Sequence, residues 1–413
     1  MSSASFSVSE VQQQIRHAIV PIPDSQKISL GAGLNRILAT DIIAAINVPT
    51  FDNSAMDGFA FCSHDVGQYR ELTVVGQSYA GHPFHGQLQP GQAIRITTGA
   101  RMPNYADSVL PQEFAVLKNV SSLLTQNIVI QSGQNRRLCG EDIALGSTVM
   151  SKGTRLRPAE LGLLASLGLS TVSVQRKLRV AIFSTGDELR SLDQPLDNGC
   201  VYDSNRVALH AMLNQFGAEV SDLGVLLDDP ESIGTALKNV VNQVDVIITS
   251  GGISAGAADF TRQVMQQLGQ MNFWSINMRP GRPLAFGSIN KNQLSDRTYV
   301  FGLPGNPVAM MVSFYFFVRP ALQLLSGSSV SMPPTINAKS NHAIAKKSGR
   351  TEFQRGICAV DSAGDLRVSV TGEQGSAMLS SMTRANCLIV LSAEQESIVA
   401  DDKVQVMLFE GLM

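Results

Sequence analysis

The sequence predicts a multidomain chain of α/β plus β class: a doubly wound α/β domain, a helical domain with an inserted β domain, and a C-terminal β-barrel-like domain. Three observations predict it. Between about 177 and 327, apolar strand runs alternate with helix-spaced runs across short loops, the pattern of a largely parallel sheet. Around 50–140, and again beyond 328, short apolar runs are cut by Gly and Pro, which reads as all-β structure. Helix-spaced apolar residues flank the first β stretch on both sides, so that stretch reads as an insertion. A chain of 413 residues also exceeds what one core holds. The expected domains are 1–46 with 145–176, helical; 47–144, inserted and β-rich; 177–327, α/β; and 328–413, β.

Val11, Ile15, Ala18 and Ile19 share one face of an opening helix, which Pro21 and Pro23 end. In "NVPTFDNSAMDGFAF" (47–61), Asp52, Asn53, Ser54 and Asp57 gather between apolar stretches ahead of Gly58. Such residues bond their own backbone, so this segment reads as a turn. "ELTVVGQSYAG", "GQAIRITTGARMP" and "SLLTQNIVIQSG" supply β runs, and "RPAELGLLASLGL" is a helix with Pro158 in its first turn. "KLRVAIFSTGDEL", "AEVSDLGVLLDD", "VDVIITSGGISAG" and "TYVFGLPGNP" are strands running into loops. Two helices lie among them. "SNRVALHAMLNQFGA" takes Ser204 as N-cap, turns Leu209, Leu213 and Phe216 inward, and stops at Gly217. "ESIGTALKNVVNQV" carries Ile233, Leu237, Val240 and Val244 as a stripe. Pro307 opens a further helix, and "CLIVL" and "KVQVMLF" are the clearest strands of the last domain.

A formal charge of −2 leaves no overall footprint for nucleic acid. The five cysteines, Cys62, Cys139, Cys200, Cys358 and Cys387, are scattered and form no C-x-x-C pair, so neither a zinc cluster nor a disulfide framework is indicated. The first residues lack a basic region followed by an apolar one. The longest apolar run, from Val308, is shorter than the roughly 20 residues a bilayer span takes. A cytoplasmic protein with no membrane and no nucleic-acid partner is the expectation.

Loops that follow the strands of an open α/β sheet converge on one crevice. Here they bring Ser184, Thr185, Gly186, Asp187 and Glu188; Asp228 and Asp229; Ser250, Gly251, Gly252, Ser254, Gly256 and Asp259; and Pro304, Gly305 and Asn306. "SGGISAG" lets backbone amides approach an anion, yet it matches neither a P-loop nor a dinucleotide fingerprint. Glu188, Asp228 and Asp259 in one crevice repel unless they hold a cation, and oxygen-only donors suit Mg²⁺. Each also has a plain reading: Asp187 or Glu188 as a cap, Asp228 as a turn residue before Pro230, Asp259 as an N-cap for "FTRQVMQQL". In "NMRPGRPLAFG", Arg279 and Arg282 flank a Pro-Gly turn and suit an oxyanion, or form a solvated basic turn. Arg350 and Arg355 in "GRTEFQRG" add positive charge from the terminal domain.

Ten stretches taken in order resemble the molybdopterin molybdenumtransferase family, the MoeA proteins and the gephyrin E domain. They are "VPTFDNSAMDGFA", "IRITTGARMP", "GEDIA", "FSTGDEL", "YDSN", "TSGGISAGAADF", "MRPGRPLAFG", "FGLPGNPVA", "GRTEFQRG" and "GSAMLSSM". The resemblance implies that residues 177–327 bind molybdopterin. It implies insertion of molybdenum from molybdate into adenylylated molybdopterin, with release of AMP and assistance from Mg²⁺ held by Glu188, Asp228 and Asp259. It places Asp57, Thr98 and Asp142 with those carboxylates as catalytic residues, the first three facing the crevice of a partner subunit in an elongated homodimer. Substrate contacts are implied for Ser184, Thr185, Gly186, Ser250, Gly251, Gly252, Ser254, Gly256, Arg279, Arg282, Pro283, Pro304, Arg350 and, among Ser376, Ser380 and Ser381, for Ser376. The molybdopterin adenylyltransferase is the implied supplier of substrate.

The chain departs from the family pattern where Arg279, Arg282 and Ser275 replace frequent lysines, where Ala257 replaces a frequent Glu, and where "NRRLCGED" carries fewer basic residues. These changes bear on the choice between molybdate and tungstate. Two other readings share the residues: a carrier or scaffold that binds the pterin without turnover, and a competence-damage-type nucleotide hydrolase sharing only the α/β domain. Intact carboxylates oppose the first, and motifs outside 177–327 oppose the second.

Overall fold

The computed structural model describes residues 5–252, 260–291 and 297–412. Two compact units divide the chain: Met1–Gln26, Asn35–Ile37 and Gln175–Met413 form one, and Lys27–Leu34 with Leu38–Val174 form the other.

The larger unit is built on a six-stranded sheet. Its order is Glu219–Leu226, Arg179–Thr185, Val246–Ser250, Arg297–Leu303, Pro283–Asn290, Gln270–Ser275. The first four strands are parallel, Pro283–Asn290 runs antiparallel to them, and Gln270–Ser275 is in turn antiparallel to Pro283–Asn290. Side chains alternate across the sheet with period two. Val180, Ile182, Ile248 and Phe301 face one core with Leu209 and Leu213, while Ala181, Phe183, Ile247 and Val300 face another with Ile233, Leu237, Val264 and Met265. Burial on both faces makes the sheet doubly wound, each large apolar side chain contributing about 1.5–3 kcal/mol.

The helix Ser204–Phe216 stops at Gly217, whose φ of 94° suits a residue without Cβ. Its N-cap is Asp203, which accepts from the Arg206 N–H, so Ser204 is the first helical residue rather than the cap. Asp229 likewise caps Pro230–Val240.

Two placements differ from the sequence reading. The opening helix, Val8–Ala18, buries Val11 and Ile15 in the α/β core with Phe316 and Phe317, whereas residues 27–46 supply Leu38 to a separate core with Met150, Leu156 and Leu164. The reason lies in the second difference. The apolar run from Val308 belongs to a helix spanning Pro307–Leu325, 19 residues long and apolar enough to cross a membrane by length and composition, with 72% of its apolar window buried. It passes through a π-helical turn at Phe314–Val318 just before Pro320. Pro320 has no N–H for the Phe316 carbonyl four residues earlier, and the Gln12 side chain donates to that carbonyl at 3.0 Å. The opening helix is thus docked by a bond that Pro320 leaves open.

Strands Ile336–Ser340, Thr351–Val360, Leu366–Val370, Cys387–Leu391 and Lys403–Leu408 close on themselves, because Thr351–Val360 pairs with both Leu366–Val370 and Cys387–Leu391. Closure pairs the outer strands with each other and leaves the start of Thr351–Val360 open on one side. Met278–Arg279 adds to it in parallel, beside Thr351 and Glu352.

The smaller unit holds a six-stranded sheet ordered Ser108–Pro111, Gly58–Phe61, Gln92–Ile96, Glu71–Ser78, Ser122–Leu124, Val116–Asn119, and the helix Pro158–Ser166.

Candidate functional site

Register aligns the strand ends of the α/β sheet. Ser184 pairs with Ser250, and Ser250 with Leu303, so the loops after three strands begin side by side. Gly251 donates to the Leu303 carbonyl at 3.0 Å. At Gly252, with φ of 64°, a Cβ would meet the Thr261 and Thr185 hydroxyls at 2.5 and 2.8 Å, so only glycine keeps this turn against the sheet. Ser184, Thr185 and Ser250 are buried, and Gly186 and Gly251 half-buried. Asn205, in the "YDSN" stretch, crosses the strand ends: its Nδ2 donates at 2.7 Å to both the Ser250 hydroxyl and the Gly305 carbonyl. On or just beyond these elements, Ser184 Oγ, Asn205 Oδ1, Asp228 Oδ1 and Thr249 Oγ1 are buried without a hydrogen-bond partner among the described residues. Each such group costs about 1–3 kcal/mol unless a ligand meets it.

Acidic residues crowd the same edge. Burial, then the charges of Asp187, Glu188 and Asp229, push the Asp228 carboxyl above its usual range. Glu188 is exposed and its carboxylate lies against Gly186. A bound cation would relieve this crowding, and the donors are all oxygens. Ser254, Gly256 and Asp259 lie outside the described residues. Among the described residues, no three His, Cys, Asp or Glu lie close enough together to hold a metal ion.

The basic turn packs on the helix that begins two residues after Gly305. A Cβ on Gly281 would meet Ser313 Oγ at 2.7 Å and the Ala309 carbonyl at 3.4 Å. Arg279 is largely exposed and its one acidic neighbour among the described residues is the buried Glu352, 3.9 Å away. Arg282 Nε donates to Ser275 Oγ at 2.9 Å, and Pro283 pairs with Ser275 across the sheet edge. Arg350 is exposed, immediately before the strand that Arg279 joins. Pro304 is buried. Ser376 is half-buried, and its carbonyl accepts from the Val308 N–H at 3.0 Å. Ser381 is buried and accepts from Arg355, so its hydroxyl is committed inside the fold.

In the smaller unit, Asp57 accepts from the Thr98 N–H at 2.6 Å and from its hydroxyl at 2.9 Å, which holds the Asp57 carboxyl below its usual range. Asp52 has the structural part: it binds Arg136 and accepts from the Cys139 N–H at 2.7 Å. Asn53 and Ser54 pair with Arg137 and Arg136. Gly58 has the Leu110 carbonyl where a Cβ would stand. The turn therefore presents Asp57 beside Thr98. Asp142 is exposed and its N–H bonds the Val48 carbonyl at 3.0 Å, on the same 47–57 segment.

Comparison with known proteins decides the family. The chain is 40% identical over 396 residues to the molybdopterin molybdenumtransferase of Haemophilus influenzae, covering 95% of this chain and 96% of that one. The chain belongs to the molybdopterin molybdenumtransferase family. Its Nostoc relative of the same name is 36% identical, with 90% and 87% covered. Three family models match in order: the MoeA N-terminal region (domains I and II) over residues 6–168, the probable molybdopterin-binding domain over 181–324, and the MoeA C-terminal region (domain IV) over 337–409. The crystal structure of the MoeA protein of Pyrococcus horikoshii OT3 superposes with a TM-score of 0.82 at 28% identity, covering 98% of this chain and 100% of that one.

For this molybdopterin molybdenumtransferase-family chain, the departures at 275 and 282 form one unit, since the serine takes the hydrogen bond of the arginine. Sequence reasoning assigned no role to Asn205 or Glu352. The "YDSN" motif was the available signal for the first; the burial of Glu352 beside an arginine has none in spacing.

Proposed function

We propose that this chain inserts molybdenum from molybdate into the dithiolene of adenylylated molybdopterin and releases AMP. The observation that carries the reading is the row of strand ends at Ser184, Ser250 and Leu303, capped by a turn that only glycine fits and bearing polar atoms without a partner among the described residues. Backbone amides at 250–252, continuing through Ser254 and Gly256, bind the pterin phosphate. Ser184, Thr185, Gly186 and Pro304 bound the pocket. Glu188 and Asp228, with Asp259, would hold Mg²⁺, which when bound neutralises charge at the pyrophosphate. These carboxylates also orient the attacking water. Arg279, Arg282 and Arg350 offer planar guanidinium donors to molybdate, a tetrahedral dianion, with the Ser376 hydroxyl as a fourth donor and Pro283 shaping the turn.

Asp57, Thr98 and Asp142 complete the site from the partner subunit of a homodimer. A molybdopterin adenylyltransferase supplies the substrate, in the cytoplasm, where the five free thiols stay reduced. Retention of Glu188 and Asp228 supports turnover over a scaffold role. The test is a reconstituted assay with the purified full-length chain, Mg²⁺ and adenylylated molybdopterin. Addition of molybdate is expected to release AMP and yield active cofactor; AMP release indifferent to molybdate overturns the reading.

A further inference from the structure

Arg355 is a guanidinium only 1% exposed. Its partners are neutral. Nε donates to Ser381 Oγ at 2.9 Å and Nη2 to the Gly375 carbonyl at 3.0 Å. No carboxylate among the described residues lies within ion-pair distance. Burial, then the nearby charge of Arg279, pushes its pKa down to about 10, so it stays charged at neutral pH. A buried charge without a counterion costs several kcal/mol, and neutral side chains could make the same two bonds. Retention of a cation here calls for an anion from outside.

The backbone of Arg355 binds the same segment. Its N–H donates to Gln374 Oε1 at 2.8 Å, and its carbonyl accepts from Gln374 Nε2 at 3.2 Å and from the Thr371 N–H at 3.0 Å. From the other side, the Val308 N–H holds the Ser376 carbonyl. The turn bearing Ser376 is therefore clamped between Arg355 and the helix on which the Arg279–Arg282 turn packs.

We propose that Arg355 is a positioning residue of the oxyanion site: it fixes the Gly375–Ser376 turn and keeps an uncompensated positive charge behind it, so that this corner takes a tetrahedral dianion. The inference rests on the functional reading above. It assigns Arg355 no contact with the anion; the effect passes through Ser376 and through the field shared with Arg279.

The test uses full-length Arg355→Met and Arg355→Lys. Three quantities are read: the molybdate concentration for half-maximal AMP release, that for adenylylated molybdopterin, and the unfolding midpoint. Arg355→Met is expected to raise the first about tenfold and leave the second within about twofold. Arg355→Lys, which keeps the charge, is expected to recover a large part of the loss. A folded Met variant with wild-type molybdate dependence overturns the proposal, as does an equal change for both substrates or a Lys variant no better than Met. If Arg355→Met does not fold, Ser381→Ala carries the test, with a rise of about threefold in the molybdate requirement expected and no rise overturning. If wild type releases no AMP in response to molybdate, the functional reading has failed instead. Calorimetric titration with molybdate alone then decides: binding weakened in the variant supports the inference, and no binding to wild type overturns it.

Discussion

The side-chain amide of Asn205 donates to the Ser250 hydroxyl at 2.7 Å, while its own Oδ1 is buried without a partner among the described residues. With its second bond to the Gly305 carbonyl, Asn205 locks together the loops after two neighbouring strands. We expect Asn205→Ala to leave the chain folded and to raise the adenylylated molybdopterin requirement about tenfold, since two bonds across the crevice are lost. Steady-state kinetics at saturating molybdate checks this, and a wild-type requirement counts against the site.

Arg279 is held loosely, by one ion pair at 3.9 Å, and its head group is exposed. Arg279→Ala should cost little stability and should chiefly raise the molybdate concentration needed for turnover, about tenfold. An unchanged molybdate dependence removes Arg279 from the oxyanion site.

A site completed across a dimer has a distinctive signature. Asp57→Asn and Glu188→Gln should each be folded and inactive when alone. Mixed by reversible dissociation, they should recover activity approaching about a quarter of wild type, because random pairing gives half heterodimers with one intact site each. No recovery in a mixture shown to contain heterodimers would falsify the shared site.

Gln12→Leu removes the side-chain donor to the Phe316 carbonyl. A loss of about 1 kcal/mol is expected, read as a lower urea midpoint, with specific activity of the folded protein unchanged.

Asp245 is 4% exposed and accepts two bonds from Arg176, at 2.7 and 2.8 Å, and one from the Arg179 N–H at 2.8 Å. Burial raises its pKa, but these bonds outweigh burial and the net shift is downward. A folded-state pKa below the unfolded one means stability that is complete above the unfolded value, about 4, and lost as pH falls through the folded value. Asp245→Asn should therefore cost about 3 kcal/mol at pH 7, and the gap to wild type should narrow below about pH 4. A gap that is constant with pH would refute the linkage.

Much of the fold was legible in local pattern. Val180 to Phe183 alternate between two cores as their spacing implies, and Gly217 and Pro158 sit where caps and first turns want them. Part of the candidate site was legible too, because strand ends converge by topology: Ser184, Ser250 and Leu303 stand in register. The role of Asp203 as cap was missed because a serine beside it fits the same rule.

By itself, the sequence determined the parallel strands and main helices of the α/β domain, the closing β domain, and the order of family motifs, since these depend on residues a few positions apart; the strands Gln270–Ser275 and Pro283–Asn290 were not legible in it. Tertiary structure alone decided that Gln12 meets Phe316 across 304 positions, that Arg355 is buried while Arg279 is exposed, and that the Ser381 hydroxyl is bonded to Arg355 inside the fold while Ser376 is half-buried. The physical reason is that burial and hydrogen-bond partners belong to the packed chain: Pro320 creates an open carbonyl, yet only packing selects the donor that fills it.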